Sequence, residues 1–211
     1  MKDTYFISAD LGQVNDFTAI TVLQRIILRD SIRGIETARE YRLRHIERPP
    51  LGTTYPAIVE RLKQLVDSDK LRSELRAVVV DLTGVGRPVW DLMQESGFKN
   101  QVNGITITGG NTVSRDRGLF NVPKRDLVCA LQVAFQNGQL KIASGLTEGE
   151  ALVRELTNFK VKISVSGHDT YEAWRESIHD DIVLSTAMAL WLATQKSFKM
   201  YGRESTFLTA W

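Results

Sequence analysis

The chain has 211 residues, of which 43% are hydrophobic and 25% charged, and this composition excludes disordered and fibrous proteins. Its 27 basic and 25 acidic residues leave a formal net charge of +2, which is too balanced to indicate a nucleic-acid partner by itself. No apolar run approaches the ~18 residues that a membrane span requires, and the polar start over residues 1–4 is not that of a signal peptide. We therefore expect a protein that is neither embedded in a membrane nor secreted by that route.

The single cysteine, Cys129, excludes an intramolecular disulfide. The residues on either side of it are apolar, and this setting predicts a buried, inert thiol. A reducing cytoplasm is the compartment that this cysteine usage favours.

Three strands are predicted at the start of the chain. Residues 4–10 form a near-continuous apolar run that ends in Asp10, as expected for a strand covered on both faces. Residues 17–28 are rich in Thr, Ile, Val and Leu, and residues 36–47 alternate charged and apolar side chains like a strand with one wet face. Short turns join these strands, and the first turn holds Asp16. The sequence therefore predicts an antiparallel meander.

Helices and further strands are predicted after the meander. A helix with Pro56 in its first turn leads to a short apolar strand, residues 76–81, which ends in Asp81. The pattern then predicts helices that begin near Pro88, Asn121, Thr147 and His179, and strands at residues 104–108, 139–143 and 159–165. We expect residues 1–195 to form one domain, because no linker or repeat interrupts them, and residues 196–211 to form a C-terminal tail.

Three acidic positions come together if the strands form a mixed sheet. Asp10 ends the first strand, Asp81 ends a strand that follows a helical crossover, and the pair Asp180–Asp181 begins a buried helix. If the first and fourth strands are neighbours, these acids converge at one edge of the sheet. Each acid has an ordinary alternative, because Asp is favoured in turns and at helix N-termini. The predicted fold is an α/β mixed sheet, with three antiparallel strands continued by parallel strands, flanking helices and an extra β-hairpin.

The clustered acids indicate a metal site. Carboxylates that lie close together repel one another unless a cation neutralises them. Mg²⁺ and Mn²⁺ are the hard cations that suit oxygen ligands, whereas Zn²⁺ has little support because the one Cys and three His show no ligand spacing. Two such ions about 3.5–4 Å apart activate a water and stabilise the leaving oxygen of a phosphodiester. The acids therefore predict metal-assisted phosphodiester hydrolysis.

Basic side chains flank the predicted acids. The polar loop at residues 109–118 carries glycines and arginines that suit close approach to a polyanion, although such loops are also commonly just solvated. The candidate phosphate contacts are Arg115, Arg117, Lys124, Lys160 and Lys162. Contacts of this type predict salt-dependent, sequence-nonspecific binding to double-stranded DNA.

Four short motifs together resemble the nuclease domain of the large terminase of tailed bacteriophages. They are Ala9–Gly12 with Asp16–Ala19, Val80–Gly86, Gly118–Lys124, and His179–Asp181 leading into an Ala-rich helix. The resemblance covers about residues 4–195, and its specificity lies in the order of the motifs and their placement at strand ends. It implies the ribonuclease H-like fold, which is shared with Holliday-junction resolvases and retroviral integrases.

The resemblance also implies roles for individual residues. The implied catalytic and metal-binding acids are Asp10, Asp81 and Asp181. Asp180 and Asp16 would be auxiliary metal ligands or water-mediated contacts. His179 would orient water or phosphate, unless it is simply a solvent-facing residue at the start of a helix. A hairpin at residues 160–174 would lie beside the DNA groove.

The biological setting implied by the resemblance is viral genome packaging. In that setting concatemeric viral DNA is cut in the cytoplasm of an infected bacterium, and a complete large terminase joins an ATP-hydrolysing motor domain, a portal and a small terminase. The motor carries a glycine-rich phosphate loop with Gly-Lys-Ser/Thr, which this sequence lacks, because the turn at residues 83–88 has neither the lysine nor the spacing. We therefore expect an isolated nuclease domain or a fragment of a longer protein.

Two other interpretations remain open. A nucleotide-binding ATPase of the actin and sugar-kinase type also ends its first strand in an Asp-x-Gly turn, but Asp16 adds a charge that repels phosphate where small hydroxyl residues are expected. A non-catalytic DNA-binding or capsid-docking module with a vestigial acidic cluster is the non-enzymatic alternative. The presence of all the acids argues against it.

Overall fold

The computed structural model describes residues 3–12, 16–33, 35–84, 86–98, 102–163, 180–195 and 198. Within these residues, eight strands form one mixed sheet in the order β6-β7-β5-β4-β1-β2-β3-β8. The strands are β1 (Thr4–Asp10), β2 (Ala19–Arg29), β3 (Glu36–Glu47), β4 (Leu75–Asp81), β5 (Val102–Thr108), β6 (Ser114–Asp116), β7 (Leu119–Pro123) and β8 (Leu140–Ile142). The helices are α1 (Tyr55–Val66), α2 (Gly86–Met93) with a π-helical turn at Gln94–Phe98, α3 (Lys124–Gln136), α4 (Gly149–Ile163) and α5 (Asp181–Thr194).

The strand pairing confirms the predicted mixed sheet. Strand β2 pairs antiparallel with both β1 and β3, so the first three strands are the expected meander. Strands β4, β5 and β7 then continue the sheet in parallel from β1, and β8 pairs parallel with β3. The first and fourth strands are therefore neighbours, which is the condition on which the convergence of the acids depends.

The sheet has a hydrophobic core on each face, because successive side chains of a strand point to opposite sides. Phe6, Leu23 and Val79 pack on the face covered by α3, α4 and α5. Ile7 and Val80 pack on the face covered by α1 and α2. Helix α5 is buried on all sides, as its almost entirely apolar sequence predicts. None of the helices in the described part of the chain has the length and apolar character that crossing a bilayer demands.

Two extra strands lie where a loop and a helix start were predicted. Strands β6 and β7 pair through a turn at Arg117 and Gly118, whose φ angles of 46° and 89° lie in the left-handed region. Helix α3 begins at Lys124, the last residue of the stretch predicted to open it, and residues 121–123 of that stretch belong to β7 instead. Phe120 enters the core as a strand residue, and this burial outweighs the weak local signals for a helix.

Helix α4 also differs from the prediction. It runs to Ile163, so the strand predicted from Phe159 is wrong over residues 159–163. The alternating pattern there is too short to separate a period of two residues from a helical period. The rest of the predicted hairpin, residues 164–174, lies outside the described residues.

Cys129 is exposed, contrary to the prediction of a buried thiol. The buried stripe of α3 consists of Leu127, Leu131 and Ala134, which recur at the helical period. Cys129 follows Leu127 by two residues, which turns its side chain about 200° away around the helix.

Candidate metal centre

The pairing of β1 with β4 brings two acids side by side. These strands run parallel, and their register extends to Ala9 opposite Val80. The next residues are Asp10 and Asp81, which end the two strands and are only 8% and 7% exposed. Because alternate residues share a face, Asp81 lies on the side of Val79, which packs in the core with α5.

Hydrogen bonds hold α5 at one position along β1. Ser185 Oγ lies 3.0 Å from Thr21 Oγ1 and donates to the Ser8 carbonyl oxygen at 3.1 Å. Asp181 lies one turn before Ser185, a rise of about 6 Å along the helix. Asp10 lies two residues beyond Ser8, a rise of about 6.6 Å along the strand. The two rises are nearly equal, so Asp181 lies next to Asp10 if the helix and the strand run in opposite directions.

The far end of α5 confirms that direction. Arg25 Nη1 donates to the Ala193 carbonyl oxygen at 2.7 Å, and Arg25 pairs with Thr4 at the start of β1. The last turn of α5 therefore lies over the beginning of β1, and its first turn lies over the end. In this way the buried helix delivers Asp180 and Asp181 to the end of the sheet that carries the strand acids.

The electrostatics of the site show the acids acting on one another. Burial raises the pKa of Asp10 well above its usual value, and the charges of Asp81, Asp181 and Asp180 raise it further. Burial also raises the pKa of Asp81, against hydrogen bonds from Thr83 that lower it. The Thr83 backbone N–H donates to Asp81 Oδ1 at 2.7 Å, which holds this carboxylate in place. The folded chain thus concentrates negative charge at a site that disfavours it in the absence of a cation.

Lys124 belongs to this cluster. It is the first residue of α3, and its Nζ lies 3.5 Å from Asp180 Oδ2 with 17% of its side chain exposed. Burial lowers its pKa, and the charges of Asp180, Asp10 and Asp81 act in the opposite direction. The residue predicted as a DNA contact is therefore placed as a partial counterion among the acids.

The side chains present suit a hard divalent cation, because the acids of the cluster offer only oxygen ligands. Asp10 and Asp81 are close enough to share a hydrogen bond between their carboxyl groups. In the described ranges, however, no three His, Cys, Asp or Glu side chains are arranged closely enough to hold an ion as they stand. To complete a set of three acid ligands for such an ion, the side chain of a third acid would have to move towards the Asp10–Asp81 pair.

Glu155 is the site residue that the sequence analysis missed. It is 6% exposed, and its Oε2 accepts hydrogen bonds from the backbone N–H groups of Ile182 at 3.0 Å and Val183 at 3.1 Å. Burial raises its pKa to about 7, although the bonds from the backbone N–H groups lower it. One sequence signal could have identified it. Glu155 follows Ala151 and Leu152 by four and three residues, so it lies on the face of α4 that packs in the core.

Arg48 connects Glu155 to the loop after β1. Its Nη2 lies 2.7 Å from Glu148 Oε2, and its Nη1 lies 4.0 Å from Glu155 Oε1. Its guanidinium carbon also lies 5.1 Å from the centre of the Phe17 ring. Phe17, which precedes β2, is thus linked through Arg48 to Glu148 and to Glu155 of α4.

Asp16 lies at the edge of this arrangement. Its side chain is exposed, and it is not one of the groups with the largest influence on the pKa of Asp10. Its backbone closes on Gly12, because a Cβ atom there would lie 2.2 Å from the Asp16 carbonyl oxygen. The Gly12 N–H donates to Thr18 Oγ1 at 3.1 Å, so the turn needs glycine for close packing of the backbone.

Arg115 is level with the acids across the sheet. Asp81 pairs with Ile105, Ile105 with Phe120, and Phe120 with Arg115. Three strand spacings of about 4.8 Å therefore separate Arg115 from Asp81 by about 14 Å. The Arg115 guanidinium lies 5.2 Å from the centre of the Phe120 ring, and this ring belongs to the core beneath α5. Arg115 thus shares a face of the sheet with the acids, and Arg117 is exposed in the turn two residues further on.

Three predicted residues receive no side-chain placement. Lys160 and Lys162 lie in the last turns of α4, where the described structure covers the backbone alone. His179 lies outside the described residues.

Comparison with known proteins supports the fold. No protein-family model and no curated protein sequence matches the chain. Among solved structures, it is similar to the large terminase nuclease from thermophilic phage G20c, with a TM-score of 0.53 and 21% sequence identity. The match covers 89% of this chain and 81% of that one. Similarity at this identity concerns the fold, and it confirms the predicted ribonuclease H-like sheet.

Proposed function

We propose that this protein is a metal-dependent endonuclease that hydrolyses DNA phosphodiester bonds at the cluster of Asp10, Asp81 and Asp181. The observation that carries the proposal is the register of β1 and β4, which places two buried acids together beneath the acidic first turn of α5. Acids that raise one another's pKa in a shared site are typical of catalytic centres. The similarity in fold to a phage terminase nuclease agrees with this chemistry.

The residues of the cluster have distinct roles in this proposal. Asp10 and Asp81 hold the metal from the sheet, and Asp181 completes the ligand set from α5. Asp180, Asp16 and His179 are auxiliary groups that hold or orient water. When bound, two Mg²⁺ or Mn²⁺ ions supply an activated water and stabilise the leaving oxygen of the phosphodiester.

In this proposal, Lys124 supplies a positive charge beside Asp180. An ammonium group there lowers the cost of concentrating carboxylates, and it offers a hydrogen-bond donor to a phosphate oxygen that approaches the acids. Lys124 would thus act beside the scissile phosphate, whereas an ordinary DNA-binding lysine contacts phosphates away from the site of cleavage.

The substrate is double-stranded DNA, bound without sequence preference. Arg115 supports this assignment, because it lies on the face of the acids about 14 Å from Asp81, and the exposed Arg117 follows it in the turn. Contacts to phosphate from arginine position a duplex without reading its bases. We propose the same role, contact with DNA phosphates, for Lys160 and Lys162 near the end of α4.

The fold similarity also suggests the biological setting. We propose that residues 1–195 act as the nuclease domain, with residues 196–211 as a tail, in a large-terminase-like protein that cuts concatemeric viral DNA in an infected bacterial cell. A motor domain, a portal and a small terminase would be its partners there.

Cleavage of supercoiled plasmid tests the proposal. The purified protein with Mn²⁺ or Mg²⁺ is expected to produce nicked and linear DNA with heterogeneous ends, and EDTA is expected to stop the reaction. Asp10→Asn and Asp81→Asn remove metal-binding oxygens and are expected to abolish cleavage.

Asp69→Asn is the matched control, because it removes the same charge from a side chain that is 87% exposed and lies beyond the opposite end of β4. It should cleave as the unaltered protein does. The proposal would be abandoned if no protein concentration nicked the plasmid, or if Asp10→Asn cleaved at the normal rate.

A further inference from the structure

The acid at the N-cap position of α5 does not cap the helix. Asp180 occupies the N-cap position, where Asp normally accepts a hydrogen bond from the N–H of the second or third helical residue. Here its side chain makes no capping bond. The carboxylate instead lies beside the Lys124 ammonium group, 3.5 Å away.

The capping bonds come from another helix. Ile182 and Val183 are the second and third residues of α5, and both of their N–H groups donate to the same oxygen of Glu155. Glu155 belongs to α4 and is separated from α5 by the segment 164–179. A carboxylate at a helix N-terminus is also favoured by the helix dipole.

We infer that Glu155 is a positioning residue for the metal centre, because it caps α5 in place of Asp180 and so leaves the acids of the first turn directed towards Lys124 and the strand acids. This inference rests on the proposed function for the metal itself. It adds a residue that touches neither metal nor DNA and acts through the placement of Asp181.

The position of the cap makes Glu155 suited to this role. Ser185 attaches the middle of α5 to the sheet, and Arg25 attaches its end. The first turn, which carries Asp181, has Glu155 as its attachment. Loss of that attachment allows the turn to fray, and the Asp181 carboxylate then shifts relative to Asp10. Residues that orient metal ligands in this way typically change metal affinity or activity about ten- to hundredfold when they are altered.

Two substitutions separate the reach of the Glu155 acceptor from its charge. Glu155→Asp keeps the charge but withdraws the oxygen by about 1.5 Å, the length of one C–C bond. Glu155→Gln keeps a carbonyl oxygen at the same reach and loses the charge. Glu150→Ala is the control, because it changes an acid on the same helix whose side chain is 96% exposed.

Three measurements are made on each variant: amide hydrogen exchange of the first turn of α5 without metal, Mn²⁺ affinity by calorimetry, and plasmid cleavage. Glu155→Asp is expected to exchange faster and to lose about tenfold or more in both Mn²⁺ affinity and cleavage. Glu155→Gln is expected to stay within about threefold of the unaltered protein in all three, since both N–H groups keep their acceptor. Glu150→Ala should change none of them.

The outcomes separate this inference from the proposed function. If the unaltered protein binds no Mn²⁺, the proposed function fails, and hydrogen exchange still decides whether Glu155 caps α5. If Glu155→Asp binds Mn²⁺ and cleaves DNA normally while its first turn exchanges faster, Glu155 is a structural cap and the positioning role is overturned. A loss of tenfold or more in Glu155→Gln with Glu155→Asp unchanged would also overturn it, because the charge and not the reach of the acceptor would then be required.

Discussion

At the scale of single residues, burial and like charge act together on Asp10. Desolvation is the largest influence that raises its pKa, and the neighbouring acids add to it. An ionised carboxylate in this position lowers the stability of the metal-free protein, since water no longer solvates it and its neighbours repel it. If Asp10 holds a metal as proposed, function and stability make opposite demands at this position.

Asp10→Asn should for this reason stabilise the protein while it removes activity. At pH 8 in EDTA, the free energy of unfolding in urea is expected to rise by more than about 0.5 kcal/mol, the usual limit for a neutral surface change, because the amide carries no charge for burial and the neighbouring acids to disfavour. The exposed-site control Asp69→Asn should change stability by less than about 0.5 kcal/mol. A metal-free Asp10→Asn protein that unfolds more easily than the original would show that Asp10 is an ordinary structural residue.

Glu155 gives a pH dependence whose sign follows from its raised pKa. Its pKa is about 7 in the folded protein against 4.5 for an ordinary glutamate, so the native state binds more protons than the unfolded state between these pH values. Its contribution to stability is therefore complete below about pH 4.5 and is lost as the pH rises through 7. The size of this loss is on the order of 1–3 kcal/mol.

Urea unfolding of metal-free protein at a series of pH values measures this contribution. Between pH 5 and 7, the free energy of unfolding is expected to fall less steeply in Glu155→Gln than in the original protein, because the amide does not titrate. Asp10 and Asp81 contribute a slope of the same sign in both proteins, so the comparison isolates Glu155. Identical slopes in the two proteins would contradict the burial of an ionisable Glu155.

At the scale of elements, the β6–β7 hairpin contributes positive charge level with the acids. Its two arginines are exposed, and the row of pairs through β5 and β7 sets the distance of Arg115 from Asp81. The edge position of β6 leaves this hairpin free of further strands on its outer side within the described sheet. Under the proposed function, a DNA strand that ran from the acids across the ends of the strands would meet this hairpin next.

Replacing both hairpin arginines should weaken DNA binding in a salt-dependent way. For the double variant Arg115→Ala/Arg117→Ala, the slope of log K against log salt concentration should become shallower by about 2, since each lost phosphate contact contributes about 0.9. The control is Arg72→Ala, a side chain that is 68% exposed beyond the opposite end of β4. A slope that changes equally in the control would assign the effect to net charge and not to the hairpin.

At the scale of the whole molecule, the candidate metal centre joins parts of the chain that are remote in sequence. β1 and β4 supply two acids from the sheet, α5 supplies two more, and α3 and α4 supply Lys124 and Glu155. A ligand that binds such a site stabilises the whole folded domain, because the unfolded chain does not hold these groups together.

Mn²⁺ is therefore expected to raise the thermal unfolding temperature. At a free concentration of about 100 times the dissociation constant, the stabilisation is about 2.7 kcal/mol, or about 5 °C or more for a domain of this size. Asp10→Asn should show little of this shift, whereas Asp69→Asn should show all of it. The same shift in Asp10→Asn as in the original protein would place the metal elsewhere.

The sequence by itself determined most of the elements and the identity of the strand acids. Long, mostly apolar runs identified β1, β4 and α5, because a strand or helix buried on every side is apolar along most of its length. Asp10 and Asp81 were predictable for the same reason, since each interrupts such a run at its end. Short segments were less certain: the strand β7 and the end of α4 depend on which side chains find a place in the core, and local pattern does not contain that information.

Only the tertiary structure decided which groups meet. The position of α5 along β1 depends on the contacts of Ser185 and Arg25, and it alone brings Asp181 to Asp10. The place of Lys124 within the cluster and the cap from Glu155 likewise arise from helices that are adjacent in space and distant in sequence. A sequence pattern records the period of an element, but the register between elements is set by side-chain contacts across the core, and these exist only in the folded chain.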